Sequence, residues 1–287
     1  MGLLSLVITS LGWGINWPAM KFLLSELPPL LARGSSGLFS ALLIAVLAVL
    51  RGQSLAVPRH CVIRLWAASF FNMFAWIGFT TLSMKWLSVS QAALLVYTMP
   101  LWATLLAWPI LGQRPSMWSA VGLVLCGVGL CALLIEGNAA SFATAQAAGI
   151  GFALAAAFLF ALGTVTIRPF LEMGPLTVLA WQLALGSLAL LVVGFAFETW
   201  STDRLSAKGC LVWLYMTIVP MGLCYLTWFS ALRHLPPVTA SMATLLTPCI
   251  GVVSASLLIS EPFTSREAVA LLLTVGGVGL SFWKKAA

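Results

Sequence analysis

The chain has 287 residues, of which 61% are hydrophobic and only 7% are charged. This composition leaves too little polar surface to cover a water-soluble globule, so it excludes a soluble domain and indicates a membrane protein. The formal net charge is +7, but the basic residues fall at the ends of the predicted helices and form no continuous stripe. The charge therefore favours a role in membrane topology, and we expect no nucleic-acid partner.

Polar residues divide the chain into ten apolar segments, each of which can cross a hydrocarbon core of about 30 Å as a helix. A β-barrel is excluded because the segment LFSALLIAVLAVL is apolar on every side, whereas barrel strands alternate polar and apolar residues. The sequence thus predicts an all-α integral membrane protein embedded in a lipid bilayer. The predicted spans are residues 3–24, 30–50, 62–82, 88–110, 116–136, 147–168, 175–197, 210–231, 237–259 and 265–283.

The distribution of basic residues predicts the orientation of these spans. An even number of spans places both termini on the same side of the membrane. Eight of the 14 Lys and Arg residues fall on that side and the other six on the opposite side. Because cytoplasmic loops carry an excess of basic residues, we expect both termini to be cytoplasmic.

The chain matches itself at a shift of 148 to 150 residues, in the same order along most of its length. A unit of five helices crosses the membrane an odd number of times, so the second copy must lie upside down relative to the first. We therefore expect two inverted five-helix repeats around a central cavity, at residues 1–136 and 147–287, joined by a linker at 137–146. Such repeats are typical of secondary transporters, whose solute site lies near the middle of the membrane. The matched pairs are Gly14 with Gly163, Cys61 with Cys210, Ala92 with Ala240, Pro100 with Pro248, Gln113 with Glu261, and GVGL at 127–130 with GVGL at 277–280.

Two of the matched residues, Pro100 and Pro248, lie inside the fourth and ninth predicted spans. A proline inside a helix removes a backbone hydrogen bond at a cost of about 3 kcal/mol. In a transporter, the resulting bend frees a carbonyl towards a cavity and lets half a helix swing, so we predict that both prolines are gating hinges. The alternative is that both are static kinks that shape helix packing.

Several motifs of this chain resemble the EamA branch of the drug/metabolite transporter superfamily. The resemblance implies a two-repeat carrier of ten helices with cytoplasmic termini, located in the bacterial inner membrane. Within that group the chain is most similar to bacterial exporters of aromatic amino acids. It departs from the pattern at Gln113, where the first repeat usually has glutamate. The motifs are GWGINWPAMK at 12–21 followed by Pro29 and Arg33, SVSQAALLVYTMP at 88–100, LGQRPSMWSAVGLVLCGVGL at 111–130, TASMATLLTP at 239–248, and ISEPFTSREAVALLLTVGGVGL at 259–280.

The predicted spans carry no charge at their centres, and this limits the solute. A carrier for sugar phosphates or nucleotides would need a buried Lys or Arg, and an exporter of lipophilic cations would need an intramembrane carboxylate. Arg33 is expected to extend towards the lipid headgroups, with contact to a solute carboxylate as the alternative. The sequence therefore favours a neutral or zwitterionic amino acid, carried by facilitated diffusion through an uncharged cavity.

Polar and aromatic residues in the middle of the spans are the candidate solute site. Aromatic rings offer apolar area with a polar edge, and amide or hydroxyl groups can bind an ammonium and a carboxylate. The alternatives are that these residues face lipid or hold helices together. The predicted substrate-binding residues are Trp13, Asn16, Trp17, Asn72, Trp76, Tyr97, Trp102, Trp181, Gln182, Tyr225 and Trp228.

Other classes of function are weaker interpretations. The chain lacks HExxH and GxSxG, and His60 and His234 both lie in predicted loops, so we expect no catalytic residue, no metal and no cofactor. A channel would need rings of like groups or a filter loop, which the sequence does not show. Export of other small metabolites or of cationic drugs stays open, as does the oligomeric state, for which a monomer is the simplest case.

Overall fold

The computed structural model describes residues 2–134, 144–167, 170, 172–199, 204–235 and 245–282. Within these ranges the chain forms helices joined by turns and contains no β-strand. We number the helical segments in chain order. They are α1 (Gly2–Leu23), α2 (Pro29–Leu50), α3 (Arg59–Ser83), α4 (Val89–Leu111), α5 (Met117–Leu134), α6 (Thr144–Thr166), α7 (Pro175–Phe197), α8 (Ala207–His234), α9 (Leu246–Ile259) and α10 (Ser265–Phe282).

Most of these helices have the dimensions of membrane spans. Seven of the described helices, namely α1 to α4 and α6 to α8, are long and apolar enough to cross a membrane. The helix α9 and the Met117–Gly129 part of α5 are apolar but shorter. The prediction of an all-helical membrane protein is confirmed, whereas the count of ten spans stays a prediction. Helix α6 begins at Thr144, inside the predicted linker, and residues 135–143 lie outside the described residues.

Local sequence signals explain where several helices begin and end. Pro29 and Pro175 start α2 and α7, where the missing amide hydrogen has no partner to lose. Ser88 and Gln91 form a reciprocal capping box at the start of α4. Gly112 ends α4 with a φ of 70°, a left-handed conformation that glycine adopts at little cost. These residues therefore set the points at which the chain enters or leaves a helix.

Two helices contain a π-helical turn at matching positions. The turn in α3 spans Phe70–Ala75, and the turn in α8 spans Val219–Leu223, so the two turns begin 149 residues apart. A π turn adds one residue to the helical repeat and leaves backbone carbonyls free for other partners, which is frequent at functional sites. Both helices contribute side chains to the same central cavity.

Small residues let neighbouring helices approach closely. Helix α2 packs along α7, and α5 packs along α10. A Cβ atom at Gly37 would collide with the Ser187 side chain of α7, and a Cβ atom at Gly277 would lie 2.8 Å from the Cys126 sulfur of α5. Helix α1 packs against α8 and α9, while α6 packs against α3 and α4. The space between these groups of helices is the cavity described next.

Candidate functional site

A cavity of about 500 Å³ lies among α1, α2, α3, α4, α6 and α8, with one residue before α9 at its edge. This volume falls within the range of roughly 300 to 1,000 Å³ that is usual for small-molecule sites. The structure thus brings most of the predicted site residues together around one space. Those that line it are Trp13, Asn16, Trp17, Trp76, Tyr97, Tyr225 and Trp228, together with the predicted hinge residue Pro100.

Aromatic rings form one wall of the cavity. The ring centroid of Trp13 lies 5.5 Å from that of Tyr225, in an edge-to-face arrangement, and 5.9 Å from that of Trp228. Across from this group, the rings of Trp17 and Tyr97 lie 6.1 Å apart. Rings in these arrangements attract each other by about 0.5–1.5 kcal/mol beyond the burial of their area, so the wall is held in shape.

The π turn of α8 fixes the position of Trp13. The indole nitrogen Nε1 of Trp13 donates a 3.0 Å hydrogen bond to the carbonyl of Pro220, which lies within that turn. The hydroxyl of Tyr215 donates in turn to the carbonyl of Gly12, at 2.9 Å. Both bonds join α1 to α8, one through a backbone carbonyl of α8 and the other through the Tyr215 side chain, so α8 orients α1 at the cavity.

Arg33 is the residue that sequence reasoning assigned wrongly. We expected it to extend to the lipid headgroups, but it is only 6% exposed and lines the cavity. The expectation of an uncharged cavity is therefore wrong. Helix α2 begins at Pro29, so a count along the chain places Arg33 at a helix end, where basic residues usually reach water. The signal that was available is its flank of small residues, GSSG at 34–37, which marks the face that packs inside the protein.

Other polar groups that line the cavity also lack partners. The Oδ1 atom of Asn16 and the hydroxyl of Thr80 are buried and find no hydrogen-bond partner among the described residues. The Nε and Nη1 atoms of Arg33 are in the same condition. Buried polar groups are normally paired, so unpaired groups that share one cavity indicate a place for a polar ligand or water.

Four predicted site residues do not line this cavity. The Asn72 side chain of α3 donates a 3.3 Å hydrogen bond to Gln182 of α7, so this pair holds two helices together. Trp181 is 36% exposed and donates to the carbonyl of Leu55, beside an apolar groove on the outer face of α2 and α7. The ring of Trp102 lies 5.5 Å from that of Phe158 of α6. Spacing along a chain does not show which face of a helix points inward. The sequence therefore could not separate these four residues from those that line the cavity.

The two predicted hinge prolines have different surroundings. Regular helix in α4 is interrupted at Tyr97 and Thr98, and Pro100 follows this break at the edge of the cavity. Pro248 lies in the first turn of α9 and is buried, and the residues 236–244 that precede this region lie outside the described residues. The structure thus shows a broken helix at the first proline. The hinge function of both stays a prediction.

A group of charged side chains closes one end of the helix assembly, and we call it the Glu261 cluster. It consists of the side chains of Lys21, Glu261 and Glu267. The Lys21 ammonium donates to two carbonyls in the turn after α3, at 2.6 and 2.7 Å. Glu261 accepts a 2.7 Å hydrogen bond from the Val89 amide, and Glu267 accepts one from Ser88. Burial raises the pKa of the Glu261 carboxyl, while the Val89 amide and then Lys21 oppose this rise.

A second group of polar residues lies at the opposite end of α3. His60, Cys61 and Glu172 offer ligand atoms within 4.8 Å of one another. However, Nη2 of Arg64 donates to the Cys61 sulfur at 3.2 Å and to Glu172 at 3.1 Å. A hydrogen bond from its own backbone amide, with Arg64 and His60 nearby, lowers the pKa of the Glu172 carboxyl. The guanidinium already supplies the positive charge here, so we interpret the group as an ion pair between α3 and the turn before α7.

The family of this chain follows from comparison with known proteins. The model of the EamA-like transporter family matches residues 1–135 and 147–283, so the chain belongs to that family. It is 27% identical over 269 residues to the uncharacterized transporter YvbV of Bacillus subtilis, covering 93% of this chain and 87% of the relative. It is 24% identical over 286 residues to a Salmonella typhimurium protein named probable amino-acid metabolite efflux pump, covering 96% and 93%.

The fold also has a solved counterpart. A crystal structure with 19% sequence identity superposes on this chain with a TM-score of 0.68, covering 96% of this chain and 95% of that chain. At this level of identity the likeness shows the fold alone. The family and the named relatives are transporters, which are not enzymes. The resemblance to EamA proteins is therefore confirmed, and the chain is a multi-pass membrane transporter.

Proposed function

We propose that this protein exports amino acids, above all aromatic and other bulky neutral ones, by alternating access and facilitated diffusion. The observation that carries the proposal is the cavity of about 500 Å³, which combines an aromatic wall with unpaired polar groups. Such a combination suits a solute with a bulky apolar side chain at one end and charged groups at the other.

Two parts of the cavity can each contact one part of such a solute. The rings of Trp13, Tyr225 and Trp228 offer the apolar area for the side chain. Asn16 offers an unpaired acceptor that suits an ammonium. Relatives in two bacteria carry the name probable amino-acid metabolite efflux pump, and this supports the same class of solute.

Two inverted repeats of five spans provide the alternating access. This architecture is supported by the matched π turns of α3 and α8, which begin 149 residues apart. It is also supported by mirrored packing, because α1 contacts α8 and α9 just as α6 contacts α3 and α4. In this arrangement residues 1–136 and 147–287 rock against each other, and the bends at Pro100 and Pro248 open the cavity to either side. Both termini face the cytoplasm, and the protein lies in the bacterial inner membrane.

The residues that line the cavity also indicate whether transport is coupled to protons and whether cationic drugs can be carried. None of the described residues that line it is acidic, so this part of the lining offers no carboxylate to exchange a proton for the solute. This supports facilitated diffusion. The buried Arg33 repels cationic drugs, which would enter the cavity with a like charge.

Counterflow in proteoliposomes tests the proposal. Vesicles that hold purified protein and a high internal concentration of unlabelled phenylalanine are placed in a trace of labelled phenylalanine. We expect transient accumulation of label, which a carrier produces and a channel does not. Bulky neutral amino acids should compete with the label, and cationic dyes and sugar phosphates should not. Competition by phosphates or dyes alone, or equilibration without accumulation, would contradict the proposal.

A further inference from the structure

Arg33 is a buried cation without a counter-ion in the part of the chain that the structure describes. Its side chain lines the cavity with 6% exposure, and its Nε and Nη1 atoms find no hydrogen-bond partner there. The described residues that line the same cavity include no Asp or Glu. A charge buried in this way is costly unless a ligand or another charge pairs with it. The arrangement therefore has a place for an anion that the protein itself does not fill.

We propose that Arg33 binds the carboxylate of the transported solute, and that the solute's ammonium group is dispensable. This inference rests on the proposed function, because it concerns solute that enters the same cavity. A guanidinium presents its donors in a planar fork that matches a carboxylate, and such charge-assisted bonds are about twice as strong as neutral ones. The carboxylate neutralises Arg33 and accepts a hydrogen bond from one of its unpaired donors.

The rest of the lining explains why the ammonium matters less. Among the described residues that line the cavity, the other unpaired atoms are neutral groups with free acceptor capacity, the Oδ1 atom of Asn16 and the hydroxyl of Thr80. A neutral acceptor gains less from an ammonium than a carboxylate would, and the ammonium is repelled by Arg33. The apolar body of the solute then lies against the rings of Trp13 and Trp228. The preferred solutes are thus aromatic monocarboxylates, with or without an amino group.

The charge balance also separates carboxylates from phosphates. One guanidinium neutralises the single charge of a carboxylate, whereas a phosphate monoester carries close to two charges at neutral pH. The second charge would meet no cation in the described lining of the cavity. The single charge of Arg33 therefore favours carboxylates, and an aryl phosphate probes the alternative.

A set of phenylalanine analogues tests this assignment on the unmodified protein. In proteoliposomes, labelled phenylalanine competes with 3-phenylpropionate, which lacks the ammonium, with phenethylamine, which lacks the carboxylate, and with phenyl phosphate. We expect 3-phenylpropionate to compete about as well as phenylalanine, and the other two to be weaker by about tenfold or more. Equal competition by phenethylamine, or stronger competition by phenyl phosphate, would overturn the inference and leave amino-acid transport standing.

Substitution of Arg33 provides a second test of the carboxylate site. In Arg33→Gln the preference for 3-phenylpropionate over phenethylamine should disappear, and Arg33→Lys should keep part of it. Arg51→Gln is the matched control, because Arg51 is an exposed arginine at the end of the same helix, and it should keep the full preference. A retained preference in a folded Arg33→Gln protein would contradict the assignment.

Thermal stabilisation in detergent measures the same ligand selectivity by binding alone, without transport. A ligand that binds only the folded protein raises its Tm. We expect a rise with 3-phenylpropionate and none with phenethylamine in the unmodified protein, and the rise should be lost in Arg33→Gln. If this pattern appears but no labelled amino acid is transported, the proposed function fails and the carboxylate site stands. If phenethylamine alone stabilises the protein, the carboxylate site fails.

Discussion

The carboxylate of Glu261 accepts a 2.7 Å hydrogen bond from the backbone amide of Val89, the first residue of α4. Glu261 lies two residues after the end of α9, so this bond joins the two predicted halves of the chain at one end of the cavity helices. The first amides of a helix lack partners within it and attract negative charge. The other Glu261 oxygen, Oε2, is buried and has no hydrogen-bond partner among the described residues. The carboxylate is therefore held by α4 but is incompletely satisfied.

This cluster predicts a pH-dependent transport rate. Burial raises the pKa of Glu261 above its ordinary value of 4.5, and the like charge of Glu267 raises it further. The Val89 amide and the opposite charge of Lys21 act against this rise. A group with a raised acid pKa binds its proton more tightly in the packed form, so acidification between the raised value and 4.5 stabilises that form. If this end must open during transport, the exchange rate should fall as the pH falls through that interval.

Glutamine at this position separates the charge from the hydrogen bond. In Glu261→Gln the amide oxygen still accepts from Val89, so the protein should fold but its exchange rate should lose the pH dependence. Glu198 is the matched control, because its carboxylate caps α2 through the amides of Leu30 and Leu31. Glu198→Gln should therefore keep the pH dependence. An unchanged pH profile in Glu261→Gln would rule out this carboxyl as its source.

The positions of the helices could be predicted from the sequence, because the length of each apolar segment and the polar residues between the segments determine them. The described helices fall close to the predicted spans, and Trp13, Asn16 and Trp17 lie together because residues three and four apart share a helix face. The pairing of Asn72 with Gln182 needed three-dimensional information, since it depends on how α3 and α7 are rotated against each other.

Arg33 also shows that the sequence alone does not determine which way a side chain points. A prediction from hydropathy uses only the position of a residue along the chain. A basic residue near the start of a helix is therefore predicted to reach water. Whether that side chain turns inward depends on the neighbouring helices, and here it lines the cavity. The π turns could not be predicted for a related reason: Phe70–Ala75 contains no helix-breaking residue, and Pro220 in Val219–Leu223 indicates a kink without specifying a π turn.

The Asn72–Gln182 pair is expected to affect stability and not solute binding. Hydrogen bonds between membrane helices contribute about 0.6 kcal/mol on average, so Gln182→Leu should lower the free energy of unfolding by about this amount. The apparent affinity for phenylalanine in counterflow should not change. Trp228→Ala, in contrast, removes a ring from the cavity lining and should weaken the affinity. A loss of affinity in Gln182→Leu would show that this pair contacts the solute.

The close packing of α2 against α7 predicts intolerance of a methyl group at Gly37. A Cβ atom there would collide with the Ser187 side chain, and overpacking of this kind typically costs about 1–3 kcal/mol. Gly37→Ala should therefore lower the Tm. Gly127→Ala is the control, since a Cβ atom at that position meets nothing within 4 Å, and it should leave the Tm unchanged or raise it. Equal Tm values for the two variants would contradict the packing described here.

The break in α4 predicts a kinetic role for Pro100. Alanine at this position restores a backbone donor and favours a continuous helix, which should slow exchange several-fold while solute binding, measured by thermal stabilisation, is retained. Pro109 lies in the exposed last turn of the same helix, so Pro109→Ala should exchange at the normal rate. Unchanged exchange in Pro100→Ala would leave this proline as a static kink.

The claim that the central cavity is the transport path can be tested by filling it. Ala103 lines this cavity, and Ala45 lines the apolar groove on the outer face of α2 and α7, so the same substitution can be made in either place. In phenylalanine counterflow, Ala103→Trp should reduce accumulation to background, while Ala45→Trp should accumulate label like the unmodified protein. Full counterflow in a folded Ala103→Trp protein would contradict the account, because the solute would then cross by another route.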